Sequence, residues 1–192
     1  MRKNGRAEVI ESPMGSSELF PLSGPGFILR RLSTADLADF QAYRHDEELG
    51  RYQGWLPTSD EHARAFLDEM SVAPFPNPGH WVQFGIEEPA RRGLVGDIGV
   101  FLDRDATFAE IGFTLARFAQ GRGVATAAIR AVIELVFECS SAQRVIGVTD
   151  ARNLPSMRLM ERVGMRLTDT NEALFRGEPC VEHTYAVTRG NP

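Results

Sequence analysis

Through the middle of the chain, apolar side chains recur at every second position. In WVQFGIEE, Val82, Phe84 and Ile86 share a face, and in VGDIGVFLD so do Ile98, Val100 and Leu102. In FAEIGFTLA, Ala109, Ile111, Phe113 and Leu115 share a face, with Glu110, Gly112 and Thr114 opposite. A period of two marks half-buried strands. The connections EPARRG and DRDAT are short, which predicts an antiparallel meander.

On either side the period becomes helical. FILRRL, Phe27 to Leu32, reads as a strand before STADLADFQAYRHD, a helix with Ser33 or Thr34 as cap and Asp36 at its positive end. Leu37, Phe40 and Tyr43 form its stripe. DEELGRYQGWLP breaks the pattern and reads as a loop. TSDEHARAFLDEMS resumes it as a second helix, capped by Thr58 or Ser59, with Ala63, Phe66, Leu67 and Met70 on one face. Further on, Ala128, Ile129, Val132, Val136 and Phe137 define a long helix, and Arg144 to Thr149 a strand. NLPSMRLMERVGM is a helix with Pro155 in its first turn and Gly164 as left-handed terminator. MRL and CVEHTYAVT close the chain as strands. The order β-α-α-β-β-β-α-β-α-β-β predicts an α/β (α+β) domain: a mixed, mostly antiparallel sheet flanked by helices, with one parallel step across the long helix. Residues 1–25, rich in Ser, Pro and Gly, read as an irregular leader, mobile or draped on the surface. Residues 26–192 read as a single domain.

Composition narrows the function classes. The chain has 192 residues, 43% hydrophobic and 24% charged, with net charge −5. That is enough for a core without staples. It lacks the basic surplus of a general nucleic-acid binder, so no nucleic-acid partner is expected. Cys139 and Cys180 have no neighbours at metal-ligand spacing, so they read as reduced thiols of a cytoplasmic protein, and no metal is expected. No apolar run is long enough for a membrane span, and MRKNGRAEVI lacks the core of a secretory signal.

The candidate chemistry lies in QGRGVATAAIRAVIELVF, where Gly121 and Gly123 stand just ahead of the long helix. A strand, a glycine turn and a helix entry leave free backbone N–H groups at a positive helix end, a cradle for phosphate. Arg122 could add a charged contact. An ordinary glycine turn explains the same residues. No Walker motif occurs, and Thr126 replaces the third glycine of a dinucleotide fingerprint. Two features favour a ligand. Gly112 interrupts the preceding strand, where close approach is one use of glycine. Asn153 and Ser156 stand beyond the carboxyl end of the next strand, where α/β steps bind ligands. Either residue also suits a plain helix entry.

Taken together, EIGFTLARFAQGRGVATAAI and NLPSMRLMERVGM resemble the GNAT superfamily of acetyl-CoA-dependent N-acetyltransferases. Gln120, Gly123 and Ala125 match its Q/R-x-x-G-x-G/A loop, and Asn153, Ser156, Gly164 and Met165 its N-x-x-S…G-[FM] segment. FILRRLSTADLADF and RYQGW make the chain similar to the ribosomal-protein acetyltransferase branch. The resemblance covers about residues 27–188. It implies acetyl-CoA as co-substrate, with the backbone of Phe113, Thr114 and Leu115 bonding the pantetheine arm. It also implies that the amides of Gln120, Gly121, Arg122, Gly123, Val124 and Ala125 hold the pyrophosphate, with Asn153 and Ser156 near the cofactor's far reach. The thioester would sit where the strands splay. Many relatives are dimers, so a homodimer is an expectation from resemblance.

The acceptor would then be a primary amine: a protein N-terminus, an antibiotic or a small metabolite. An ammonium cannot attack a thioester, so a base must take its proton. Glu110, beside Gly112, is the candidate, with Asp97 on the neighbouring strand as runner-up. A strand N–H near Phe113 or Thr114 would stabilise the carbonyl oxygen. His183 and Tyr185 read as core or satisfied polar residues. Tyr52, Trp55 and Trp81, with Tyr43, Arg44, Asp46 and Glu47, could wall an acceptor cleft suited to a cation. One departure stands out: Met160 occupies the position where many relatives place a proton-donating tyrosine. A non-catalytic acyl-CoA-binding or regulatory module on the same fold is therefore the alternative, and a nucleotide-binding protein is a third reading.

Overall fold

The computed structural model describes residues 19–190. Eight strands form one sheet in the order β1-β2-β3-β4-β5-β6-β8-β7. They are β1 (Leu22–Gly24), β2 (Phe27–Arg31), β3 (Trp81–Glu88), β4 (Gly93–Leu102), β5 (Phe108–Leu115), β6 (Arg144–Asp150), β7 (Arg166–Phe175) and β8 (Glu178–Thr188). Every neighbouring pair is antiparallel except β5 and β6. That parallel step is the one expected across the long helix, since only a crossover can join parallel neighbours.

The helices are α1 (Leu37–Arg44), α2 (Glu47–Gly50), α3 (Asp60–Val72), α4 (Val124–Cys139) and α5 (Leu154–Arg162). None in the described residues is long and apolar enough to cross a membrane. Local chemistry sets their ends. Asp36 accepts from the Ser33 N–H at 2.8 Å in the 3-10 turn that opens α1. Ser59 accepts from His62 N–H at the start of α3. After α5, Gly164 turns to φ 98°, Met165 N–H bonds Met160 O, and Gly164 N–H bonds Glu161 O. This pair of bonds satisfies the last helical carbonyls.

The alternating residues build the core. Val82, Phe84, Ile86, Ile98, Val100 and Ile111 are buried together with Ala128, Ile129, Val132 and Val136 of α4. Burial of a side chain such as Phe84 contributes roughly 1.5–3 kcal/mol. α4 lies against β1 and β2 and α5 against β6, while α1 meets β4 and α3 meets β2 and β3.

Three elements differ from the expectation. Leu22–Gly24, read as the end of the leader, pair with β2 through a turn containing Gly26 at φ 80°; the leader as far as residue 18 lies outside the described residues. Glu47–Gly50 form a helical turn because Asp46 caps it, accepting from Glu48 and Leu49 N–H. β7 runs ten residues, to Phe175, where only MRL was expected, and nearly all of it is exposed. A strand exposed on both faces has no alternation to read.

Candidate active site

β5 passes through a 3-10 turn, Arg117–Ala119, and two left-handed glycines into α4. Gly121 has φ 76° and Gly123 φ 83°, and a Cβ added to either would meet open space. This combination bares the helix entry. Among the described residues, nothing accepts a hydrogen bond from the backbone N–H groups of residues 121–126, and the first bond back into the helix is Ala127 N–H to Gly123 O. Gln120 folds back on the strand at the surface, its Nε2 donating to Leu115 O at 2.9 Å, so its side chain fastens the loop to β5. Arg122 is held by Glu88 through both nitrogens, at 2.6 and 3.1 Å. Its guanidinium is therefore already paired, and its backbone N–H is the part left free.

β5 and β6 pair only through Phe108, Ala109 and Glu110, whose last partner is Ile146. Beyond Glu110 a gap opens between them. Antiparallel pairing alternates the direction of the main chain. Ala116 N–H donates to Val95 O on the β4 side, so the backbones of Gly112 and Thr114 also face β4, and those of Ile111, Phe113 and Leu115 face the gap. Two carbonyls there are taken: Phe113 O by Gln53 Nε2 at 3.2 Å and Leu115 O by Gln120. The N–H groups of Phe113 and Leu115 point into the gap. Thr114 corrects the expectation. Its backbone turns toward the ladder opposite Asp97, and its buried hydroxyl accepts from Trp55 Nε1 at 3.3 Å.

Where the gap begins, Glu110, Tyr52, Thr149, Asp150 and Glu182 line a cavity of about 190 Å³. Burial, then the charge of Glu182, pushes the Glu110 carboxyl above its ordinary range. Asp97 is excluded as a base. It is 1% exposed, its Oδ2 takes Tyr43 Oη and Arg44 Nη2, and its Oδ1 takes Gln83 Nε2. Burial and the Asp97 charge push the Tyr43 phenol well up, so it stays a donor. Arg44 is buried too, and Trp55 stacks on its guanidinium at 4.6 Å. The expected acceptor rim is thus partly structural. Tyr52 lines the cavity; Trp55 is pinned between Arg44 and Thr114; Trp81 lies over Gly99 and Gly112 and packs on Phe101 at 5.7 Å. Asp46, expected on the rim, is paired with Arg117, which pulls it down to about 2.

On the far side, Asn153 Oδ1 accepts from Ser156 N–H at 3.4 Å and caps α5, with Pro155 in the first turn. Both residues stand at the helix entry beyond β6, partly exposed. Met160 is 1% exposed and packs where a Cβ on Gly147 would come within 2.6 Å of its sulfur. Tyr185 is buried with its hydroxyl 3.4 Å from Glu161, and His183 bonds Thr170 at 2.9 Å. Both are satisfied structural groups.

Residues 27–166 match the family model for the acetyltransferase (GNAT) domain, nearly three-quarters of the chain. The protein belongs to the GNAT family. The chain is similar to an uncharacterized N-acetyltransferase, YnaD, of Bacillus subtilis, at 25% identity over 72% of this chain and 78% of that protein. A GNAT acetyltransferase of Bacillus anthracis superposes with a TM-score of 0.75 at 22% identity, over 86% of this chain and 96% of that one. RimL, a ribosomal L7/L12 alpha-N-protein acetyltransferase solved with coenzyme A, superposes with a TM-score of 0.76 at 15% identity, over 90% and 99%.

This GNAT protein is an acetyl-CoA-dependent acyltransferase. The coenzyme's demands can be compared with the residues present. A diphosphate needs unpaired donors and no side chain in the way, and residues 121–126 offer both. A pantetheine arm needs strand donors at an unpaired edge, and Phe113 and Leu115 provide them. The buried Arg44–Asp97–Tyr43 cluster, Gln53 and the α2 cap escaped the sequence reading. A charged pair at helix and strand positions 53 residues apart leaves no periodic signal.

Proposed function

We propose that the protein transfers the acetyl group of acetyl-CoA to a primary amine, with the residue 121–126 amides holding the pyrophosphate and Glu110 accepting the amine's proton. The amine would be a protein N-terminus, an antibiotic or a small metabolite. The observation that carries this reading is a juxtaposition. The unbonded amides and the carboxylate with the raised pKa flank the two ends of one gap beside β5. The thioester supplies the activated acetyl group when bound. The Phe113 N–H presents a fixed donor to the carbonyl oxygen. Glu110 binds the ammonium, then takes its proton as the neutral amine forms; a raised pKa makes it a better base. Glu182 adds negative charge that favours a cationic acceptor, whereas the Asp150 carboxylate is already paired with Arg152. Asn153 caps α5, and Ser156 lies beside it at the coenzyme's far reach. Trp55 and Trp81 border the acceptor side, with Tyr52 in contact with the cavity.

Buried Met160 favours a second reading, a module that binds the coenzyme without turnover. Calorimetric titration with acetyl-CoA and ATP, then thiol release over a panel of primary amines, separates the two. The proposal expects acetyl-CoA to bind, ATP to bind more weakly, and at least one amine to release thiol. Binding without release on any amine supports the module, and preference for ATP contradicts both.

A further inference from the structure

The β7–β8 hairpin turns through Arg176 and Gly177, with φ 54° and 84°. Two residues at positive φ make the tight turn whose twist matches paired strands, and they bring Arg176 back across the sheet end. There a single nitrogen, Arg176 Nη2, lies 3.1 Å from Gly50 O, 3.1 Å from Gln53 O and 3.0 Å from Trp55 O. The first is the carbonyl of the last residue of α2, and the other two belong to the loop between α2 and α3. Among the described residues, Arg176 makes no ion pair. Its cation is spent on residues 50–55.

The same loop is tied from below by Gln53 to Phe113 O and by Trp55 to Thr114 Oγ1. Beside these ties, Tyr52 and Gly54 line the Glu110 cavity, and Phe175, next to Arg176, lines it from the hairpin side. We propose that Arg176 is a positioning residue: it acts through residues 50–55, setting Tyr52 as the cavity wall and closing that wall against the hairpin. This rests on the reading that the amine meets Glu110 in that cavity. The bonds to Gln53 O and Trp55 O are exposed and the one to Gly50 O is part-buried, so water replaces two of the three in a variant. Folding then changes little while the loop's position is lost. One nitrogen makes every contact, so a lysine ammonium, with three donors on one atom, can substitute.

The test compares Arg176→Ala and Arg176→Lys in the full chain, with spermidine and a hexapeptide bearing a free N-terminus as probes. For Arg176→Ala the amine KM rises roughly tenfold while kcat and the acetyl-CoA Kd stay within about twofold. Arg176→Lys restores the KM. The chain has two tryptophans, so in a Trp81→Phe background acrylamide quenching reports Trp55 alone. Quenching strengthens with Arg176→Ala and returns to the parent level with Arg176→Lys. Unchanged quenching in Arg176→Ala overturns the proposal, whether or not either amine is turned over. So does an equal loss of acetyl-CoA affinity, which marks a general structural defect. Glu110→Gln separates the two levels. If it leaves turnover untouched while Arg176→Ala loosens Trp55, the acceptor reading falls and the latch stands. If it slows turnover while Arg176→Ala changes neither quenching nor KM, the latch alone falls.

Discussion

Glu110 and Glu182 line the same cavity, and the charge of Glu182 adds to burial in raising the Glu110 carboxyl. A base must be ionised to work, so kcat/KM rises with pH through a pKa above that of an ordinary glutamate. Glu182→Gln removes one cause and leaves burial. The acid limb then moves to lower pH without reaching that of an exposed glutamate, as read in a pH–rate profile. An unmoved limb removes Glu182 from the electrostatics of the site.

The same shift has a stability consequence of definite sign. Between the ordinary carboxyl pKa and the raised native one, the folded protein binds more protons than the unfolded chain. Its stability therefore falls as pH rises through that window. Glu110→Gln lacks this titration, so across that window its urea midpoint loses less than that of the wild type.

In kinetics Glu110→Gln acts the other way. Loss of a general base costs about 100-fold or more in kcat, while the acetyl-CoA Kd by calorimetry stays as in the parent. An equal kcat in the two proteins removes Glu110 from the mechanism.

Gly123 sits at φ 83° with open space where a Cβ would go. Gly123→Ala meets only the left-handed strain, about 1–2 kcal/mol, and keeps coenzyme binding. Gly123→Glu meets the same strain and puts a carboxylate at the phosphate cradle, so acetyl-CoA binding is lost while circular dichroism stays native. Retained affinity in Gly123→Glu refutes the assignment of the loop.

Asp97 is the buried partner of Arg44, Tyr43 and Gln83. Asp97→Ala leaves a buried guanidinium unpaired, which costs roughly 3–5 kcal/mol, measurable by urea unfolding. Trp55 stacks on Arg44, so its fluorescence responds as well. A loss well below that range shows that Arg44 finds water or another partner.

The sequence discloses those parts that obey a period or a turn rule. Val82, Phe84 and Ile86 alternate because their strand is half buried, and Pro155 and Gly164 bracket α5 because each fits one end of a helix. The glycine loop was legible for the same reason, since Gly121 and Gly123 occupy left-handed positions. What stayed hidden is long-range or aperiodic. Leu22–Gly24 is too short to alternate, and β7 is exposed on both faces. Whether Asp97 is a free base or a buried counter-ion depends on α1, 53 residues away in sequence. Trp55 looked like a loose cleft wall because nothing in RYQGW announces Thr114 as its partner.

The central claim is that backbone donors ahead of α4 grip the coenzyme's diphosphate beside the open edge of β5. A crystal structure of the protein with acetyl-CoA tests it most directly. It should show diphosphate oxygens within hydrogen-bonding distance of the 121–126 amides, and the acetyl carbon between Phe113 N–H and the Glu110 cavity. Coenzyme bound elsewhere, or those amides turned onto acceptors of the protein itself, contradicts it.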